Sequence, residues 1–271
     1  MIRRLFTMQN AECRMILFWV VQFAFRTISK ERVIMMSIKE NVARIRKEME
    51  AAAIAAGRNP KDILLCAATK MNDAAAVREA IAAGVDCCGE NKVQELTAKL
   101  AENAYEGAPV HFIGHLQTNK VKFVVGKVDL IQSVDSERLL AAIDKEAKKQ
   151  GIIQNILLEV NVGGEESKSG FHPDEVLPLV KKLPEYPNIR VKGLMTIPPI
   201  SQKNGDNIKY FQKIYNISVD IIALLGDNGM AKYLSMGMSD DFSDAIACGS
   251  TMIRVGTAIF GARDYSKLHQ T

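Results

Sequence analysis

From residue 63 onward, short apolar runs alternate with amphipathic stretches. The apolar runs cover residues 63–69, 85–89, 110–113, 130–134, 156–162, 191–195, 233–236 and 252–255. They are nearly continuous in apolar character, as parallel strands buried on both faces are. Between them, apolar residues recur at helical spacing over 74–83, 92–103, 119–126, 136–150, 174–183, 207–225 and 240–247. A further helix is predicted over 37–56, with Ser37 as N-cap and Glu40 three residues later. Eight strand–helix units in about 230 residues predict an α/β fold, a single (β/α)8 TIM barrel. The extra N-terminal helix would plug or flank its bottom. A doubly wound open sheet is the rival, but it would bring a Gly-rich turn after the first strand, and none is present.

Residues 1–35 do not share this rhythm. Residues 15–25 read M-I-L-F-W-V-V-Q-F-A-F and hold the only Trp. Eleven residues are too few to span a bilayer, which takes about 20. A signal peptide would need a small-residue cleavage site, and Arg26-Thr27-Ile28 follows instead. The expectation is an N-terminal extension, 1–35, upstream of the natural start, and a barrel over 36–271.

Charge sharpens this division. The first 35 residues hold six Lys/Arg and two acidic residues. The other 236 are formally neutral, so the net charge of +4 is no argument for nucleic-acid binding. The five cysteines are odd in number and form no C-x-x-C. Reduced, buried thiols in a cytoplasmic chain fit that usage, and no zinc-ligand cluster is legible.

In a barrel, chemistry gathers at the C-terminal strand ends. Lys70 closes the first strand. Its amine is placed to form a Schiff base with a carbonyl, although position alone favours a solvated loop lysine. Asn91 follows the second strand and either meets a ligand oxygen or caps a helix. His111 and His115 are four apart but lie on a strand and past Gly114, so a shared metal is disfavoured against a hydrogen-bonded, barrel-interior His111. Glu159 and Asn161 share a strand face and suggest a wet interior. The 160–170 loop lacks the glycines of a P-loop. In L-S-M-G-M-S-D-D and G-S-T-M-I-R-V-G-T-A-I-F-G, Ser235, Gly256 and Thr257 suit a phosphate site, and Arg254 within a strand needs an acceptor. Asp240 and Asp241 read as helix N-terminal charges.

Together A-A-T-K, G-E-N-K-V-Q-E, H-F-I-G-H-L-Q-T-N-K, S-K-S-G, G-L-M-T-I and the two C-terminal runs resemble the pyridoxal-phosphate homeostasis proteins, which share the alanine racemase N-terminal-domain fold. The resemblance covers about residues 37–265. It implies a barrel holding pyridoxal 5′-phosphate on Lys70 as a Schiff base. Asn91 would lie near the cofactor, the phosphate on Ser235, Gly256 and Thr257, and Arg254 at the pyridine nitrogen. The family's V-S-K-T-K-P is here A-T-K-M-N-D, which leaves the following loop less defined. The implied role is a non-catalytic, monomeric carrier that supplies apo-enzymes, with no nucleic-acid or membrane partner. The alternatives are an amino-acid racemase or aldolase of the same fold, or a cofactor-free barrel for another phosphate ester. No tyrosine in the sequence stands out as the base that a racemase needs.

Overall fold

The computed structural model describes residues 37–165, 168–200, 203, 205–225 and 232–261. The 15–25 apolar run, Glu166, Ser167 and Tyr265 lie outside them. Eight parallel strands close into a barrel in sequence order: β1 (Leu64–Ala68), β2 (Cys87–Glu90), β3 (Val110–Phe112), β4 (Leu130–Val134), β5 (Gln154–Glu159), β6 (Ile189–Met195), β7 (Tyr233–Ser235) and β8 (Met252–Val255). The last strand pairs with the first, so the open-sheet alternative is excluded.

The helices are α1 (Ile38–Ala55), α2 (Ala74–Ala82), α3 (Val93–Ala101), α4 (Glu137–Gln150), α5 (Pro173–Lys182), α6 (Ile208–Leu225), α7 (Phe242–Ala247) and α8 (Thr257–Phe260). Ser37 and Glu40 form the expected capping box on α1. That helix flanks the barrel. Asn41 donates to the Ile259 carbonyl (2.9 Å), and Arg44 to that of Ala258 (3.2 Å). Between β3 and β4 the helix expected over 119–126 is a 3-10 turn, Thr118–Phe123. The segment is short, and β-branched Val121, Val124 and Val125 resist a longer α-helix. Among the described residues, no helix is long and apolar enough to cross a membrane.

Strand alternation divides the interior in two. Outward-facing residues such as Leu65, Ala67, Phe112, Ile131, Ile156 and Ile253 pack against the helices in the main core. Inward-facing Cys66, Cys87, Leu130, Leu157, Met195 and Met252 form a separate plug. Polar His111, Gln132, Ser235 and Arg254 are buried above it. Strand β5 ends at Glu159, earlier than the apolar run suggests. Phe171 bridges back to Val160, and this turns the chain out of the sheet.

Gly193 sits in β6 at φ +142, and a Cβ there would collide with the Tyr233 carbonyl of β7. That contact is backbone on both sides and has no room to yield. Gly193→Ala is expected to cost about 3 kcal/mol or more in chemical denaturation.

Candidate functional site

Lys70 follows β1 by two residues, and its backbone is pinned on both sides. Thr69 is fully buried, and its Oγ1 donates to Glu90 (2.8 Å). Lys99 donates through Nζ to the Thr69 carbonyl (2.7 Å) and to Glu90 (3.1 Å). Burial pushes the Glu90 carboxyl up, and Lys99 and Thr69 draw it back down. On the far side, Met71 adopts φ +62 and its N–H donates to Glu95 (2.6 Å). Asn72 then donates to the Lys70 carbonyl (3.0 Å). The T-K-M-N-D loop, which departs from the family's Lys-Pro, is thus ordered by carboxylates from α3 and the strand end before it.

A cavity of about 420 Å³ opens at the C-terminal strand ends. Lys70, Asn91, Arg254, Gly256 and Thr257 all line it. These residues come from both ends of the barrel sequence and meet because β8 pairs with β1. Asn91 does not cap α3; that position is Lys92. The Asn91 Oδ1 atom is buried without a hydrogen-bond partner among the described residues. A buried acceptor left in this state calls for a donor from something bound.

Arg254 is buried. Its Nη1 donates to Ser235 Oγ (2.6 Å) and its Nη2 to the Thr196 carbonyl (2.9 Å). Burial lowers the guanidinium from its ordinary range, while Cys66, Glu159 and Asp241 favour its charge. Ser235 lies deeper in the barrel. Its hydroxyl donates to Gln132 Oε1 (2.7 Å) and is not on the cavity wall. The serine on that wall is Ser239, beside Asp240. Both follow the end of β7, and sequence reasoning passed over Ser239. Locating the strand end at Ser235 would have found it, because residues past a barrel strand face the mouth.

The remaining candidates separate. Asp241 precedes α7, and its carboxylate accepts from the Met238 N–H (2.7 Å) and Asn207 (2.8 Å). His111 is buried against Gln132, whereas His115 is exposed and meets Asp135 (3.0 Å). Asn161 has left the strand and donates to the Glu165 carbonyl (2.9 Å), organising its loop. A second cavity, of about 560 Å³, lies near His115, Arg138 and Lys168. It is larger, but Lys70, Asn91 and Arg254 converge on the first.

Glu159 faces the interior, and its carboxyl is pushed up to about 7. Burial is the main cause, Asp135 adds to it, and Arg254 opposes it.

A model of the family described as "Alanine racemase, N-terminal domain" matches residues 35–264. The pyridoxal phosphate homeostasis protein of Aquifex aeolicus is 40% identical over 230 residues, 85% of this chain and all of that protein. That of Escherichia coli K12 is 39% identical over 236 residues, 86% of this chain and all of the relative. The structure of PipY from Synechococcus elongatus with PLP bound superposes with a TM-score of 0.71 at 32% identity. It covers 83% of this chain and all of PipY.

Two outcomes follow from this geometry. Lys99→Met leaves the Glu90 charge buried and unpaired, and should cost about 3–5 kcal/mol in urea denaturation. Glu90→Gln combined with Lys99→Met should recover part of that loss. For Glu159, the folded chain keeps a proton that the unfolded chain releases between pH 4.5 and about 7. Its contribution to stability therefore falls as pH rises through that window, by up to about 3 kcal/mol. Unfolding free energy measured from pH 5 to 8 should decline less steeply in Glu159→Gln than in wild type.

Proposed function

The chain belongs to the alanine racemase N-terminal-domain family, among the pyridoxal phosphate homeostasis proteins, and on that footing we propose that it binds pyridoxal 5′-phosphate on Lys70 and carries it. The observation that bears most weight is the orphaned, buried Oδ1 of Asn91 on the wall that Lys70 and Arg254 share. A hydroxyl-bearing ring supplies the donor this atom lacks. The bound aldehyde brings a carbon that condenses with a primary amine and loses water, giving a Schiff base. Lys70 supplies the amine, and the pinned Thr69–Met71 backbone fixes its direction.

Ser239 and Thr257 offer hydroxyls for the phosphate. The first N–H groups of α8 have no acceptor within their own helix and add donors there. Ser235 serves from behind, holding Arg254 in place. Arg254 donates and cannot take a proton, so a ring nitrogen facing it stays unprotonated. That weakens the ring as an electron sink and favours carriage over carbanion chemistry. In delivery, the amine of an apo-enzyme displaces Lys70 by exchange. The carrier acts as a monomer in this reading, and the 36–271 segment forms the cofactor-binding domain.

A second reading has one observation behind it. Asp240 is a carboxylate on the cavity wall. An amino-acid racemase or aldolase of this fold would need such a base.

The first test is the visible spectrum of protein mixed with pyridoxal phosphate. Wild type should show a long-wavelength band that borohydride fixes covalently on Lys70, and Lys70→Ala should lack it. A wild type without the band overturns the proposal and leaves the cofactor-free barrel. Amino acids incubated with the loaded protein in deuterium oxide then separate the two roles. A carrier leaves the α-hydrogen in place, while exchange at catalytic rates that Asp240→Asn abolishes would establish the enzyme.

A further inference from the structure

Two thiols and an imidazole on three successive strands meet inside the barrel, deeper than Lys70. The Sγ atoms of Cys66 and Cys87 and a ring nitrogen of His111 all lie within 4.8 Å of one another. All three residues are buried. Cys66 and Cys87 are register partners across β1 and β2, both turned inward. On β2, Gly89 leaves space beside them; a Cβ there would come within 3.0 Å of Cys66 Sγ.

A cation between these three atoms would bond to all three side chains. Nδ1 of His111 is engaged by the Gln132 amide (2.9 Å), which leaves Nε2 for a metal. Gln132 is the kind of outer partner that fixes the ring of a metal-binding histidine. A half-turn of its amide lets Nδ1–H donate to Oε1 and frees Nε2 of its proton; the amide N–H then donates to Ser235 Oγ, replacing the bond that Oε1 accepts from that hydroxyl.

We propose that Cys66, Cys87 and His111 form a binding site for one thiophilic monovalent cation, Cu(I), inside the barrel and apart from the cofactor cavity. The surroundings select this ion. Two thiolates and one imidazole are soft ligands, and Met195 and Met252 pack in the same cluster. Three protein ligands suit Cu(I), whereas structural zinc takes four. Two thiolates around Cu(I) leave one negative charge. The buried Arg254 guanidinium, register partner of Cys66, offsets it; a divalent ion would make the two-thiolate centre neutral and leave the Arg254 charge uncompensated there. On binding, two Cu–S bonds and one Cu–N bond form. The two thiol protons pass to solvent, the imidazole proton moves to Nδ1, and no electron is transferred.

The test is an anaerobic titration of the reduced full-length chain with Cu(I), against the chromophoric competitor bicinchoninate. Thiols outside the cluster are first removed as Cys13→Ser, Cys88→Ser and Cys248→Ser. One equivalent should be retained in that background. Adding Cys66→Ser and Cys87→Ser should weaken retention about a hundredfold. Copper-edge absorption spectroscopy on wild type reads the same site without relying on a variant that must fold. It should find two sulfurs and one imidazole nitrogen. Retention unchanged by the Cys66 and Cys87 substitutions, no retention by folded wild type, or a first shell without imidazole would each overturn the proposal.

Discussion

The pairing of β8 with β1 is the constraint on which the rest of the molecule depends. It sets Leu64, Leu65, Cys66 and Ala67 against Met252, Ile253, Arg254 and Val255. Without that seam, Lys70 and Arg254 lie at opposite ends of a sheet. With it, the lysine after the first strand shares a wall with Gly256 and Thr257 after the last. Helix α1 reinforces the same seam from outside. Its contacts run to the carbonyls of α8, and Arg58, just past its end, donates to the Ile246 and Ser250 carbonyls at 2.8 and 2.7 Å. The segment before the barrel thus helps to hold the element that completes the cavity.

A second constraint is the polar interior. Arg254, Ser235, Gln132 and His111 form one hydrogen-bonded chain through the barrel. Buried polar groups at these positions cannot be left unpaired without large cost, so each fixes the next. That is why Ser235, chemically suited to a phosphate, is occupied by holding an arginine. It is also why the thiol pair and the cavity beside Lys70, though separate, lie along one electrostatic path. Arg254 stands between them and feels both Cys66 and Asp241.

The barrel's outer layer follows simpler rules. Apolar faces of the helices cover apolar strands, and the inner plug is small and sulfur-rich. The buried Glu90–Lys99 pair is an exception, lying beneath the Lys70 backbone. A buried ion pair is weak evidence for stability, but it holds direction well. Here it holds the carbonyl of Thr69, one residue from the amine that the proposed function requires.

Much of this was legible in the chain itself. The eight apolar runs, the capping box at Ser37 and the lysine closing the first strand all express local rules: side-chain period, cap chemistry, and which residue ends a strand. Such rules act over a few residues, so one sequence suffices. Tertiary structure decided the rest. Closure, the orphaned Asn91 Oδ1, the place of Ser239 on the cavity wall, and the meeting of Cys66, Cys87 and His111 each depend on register between strands distant in sequence. A shift of one residue in a strand turns every side chain to the other face. Which polar atoms share a cavity is therefore settled by closing the barrel, and spacing along the chain does not encode it locally.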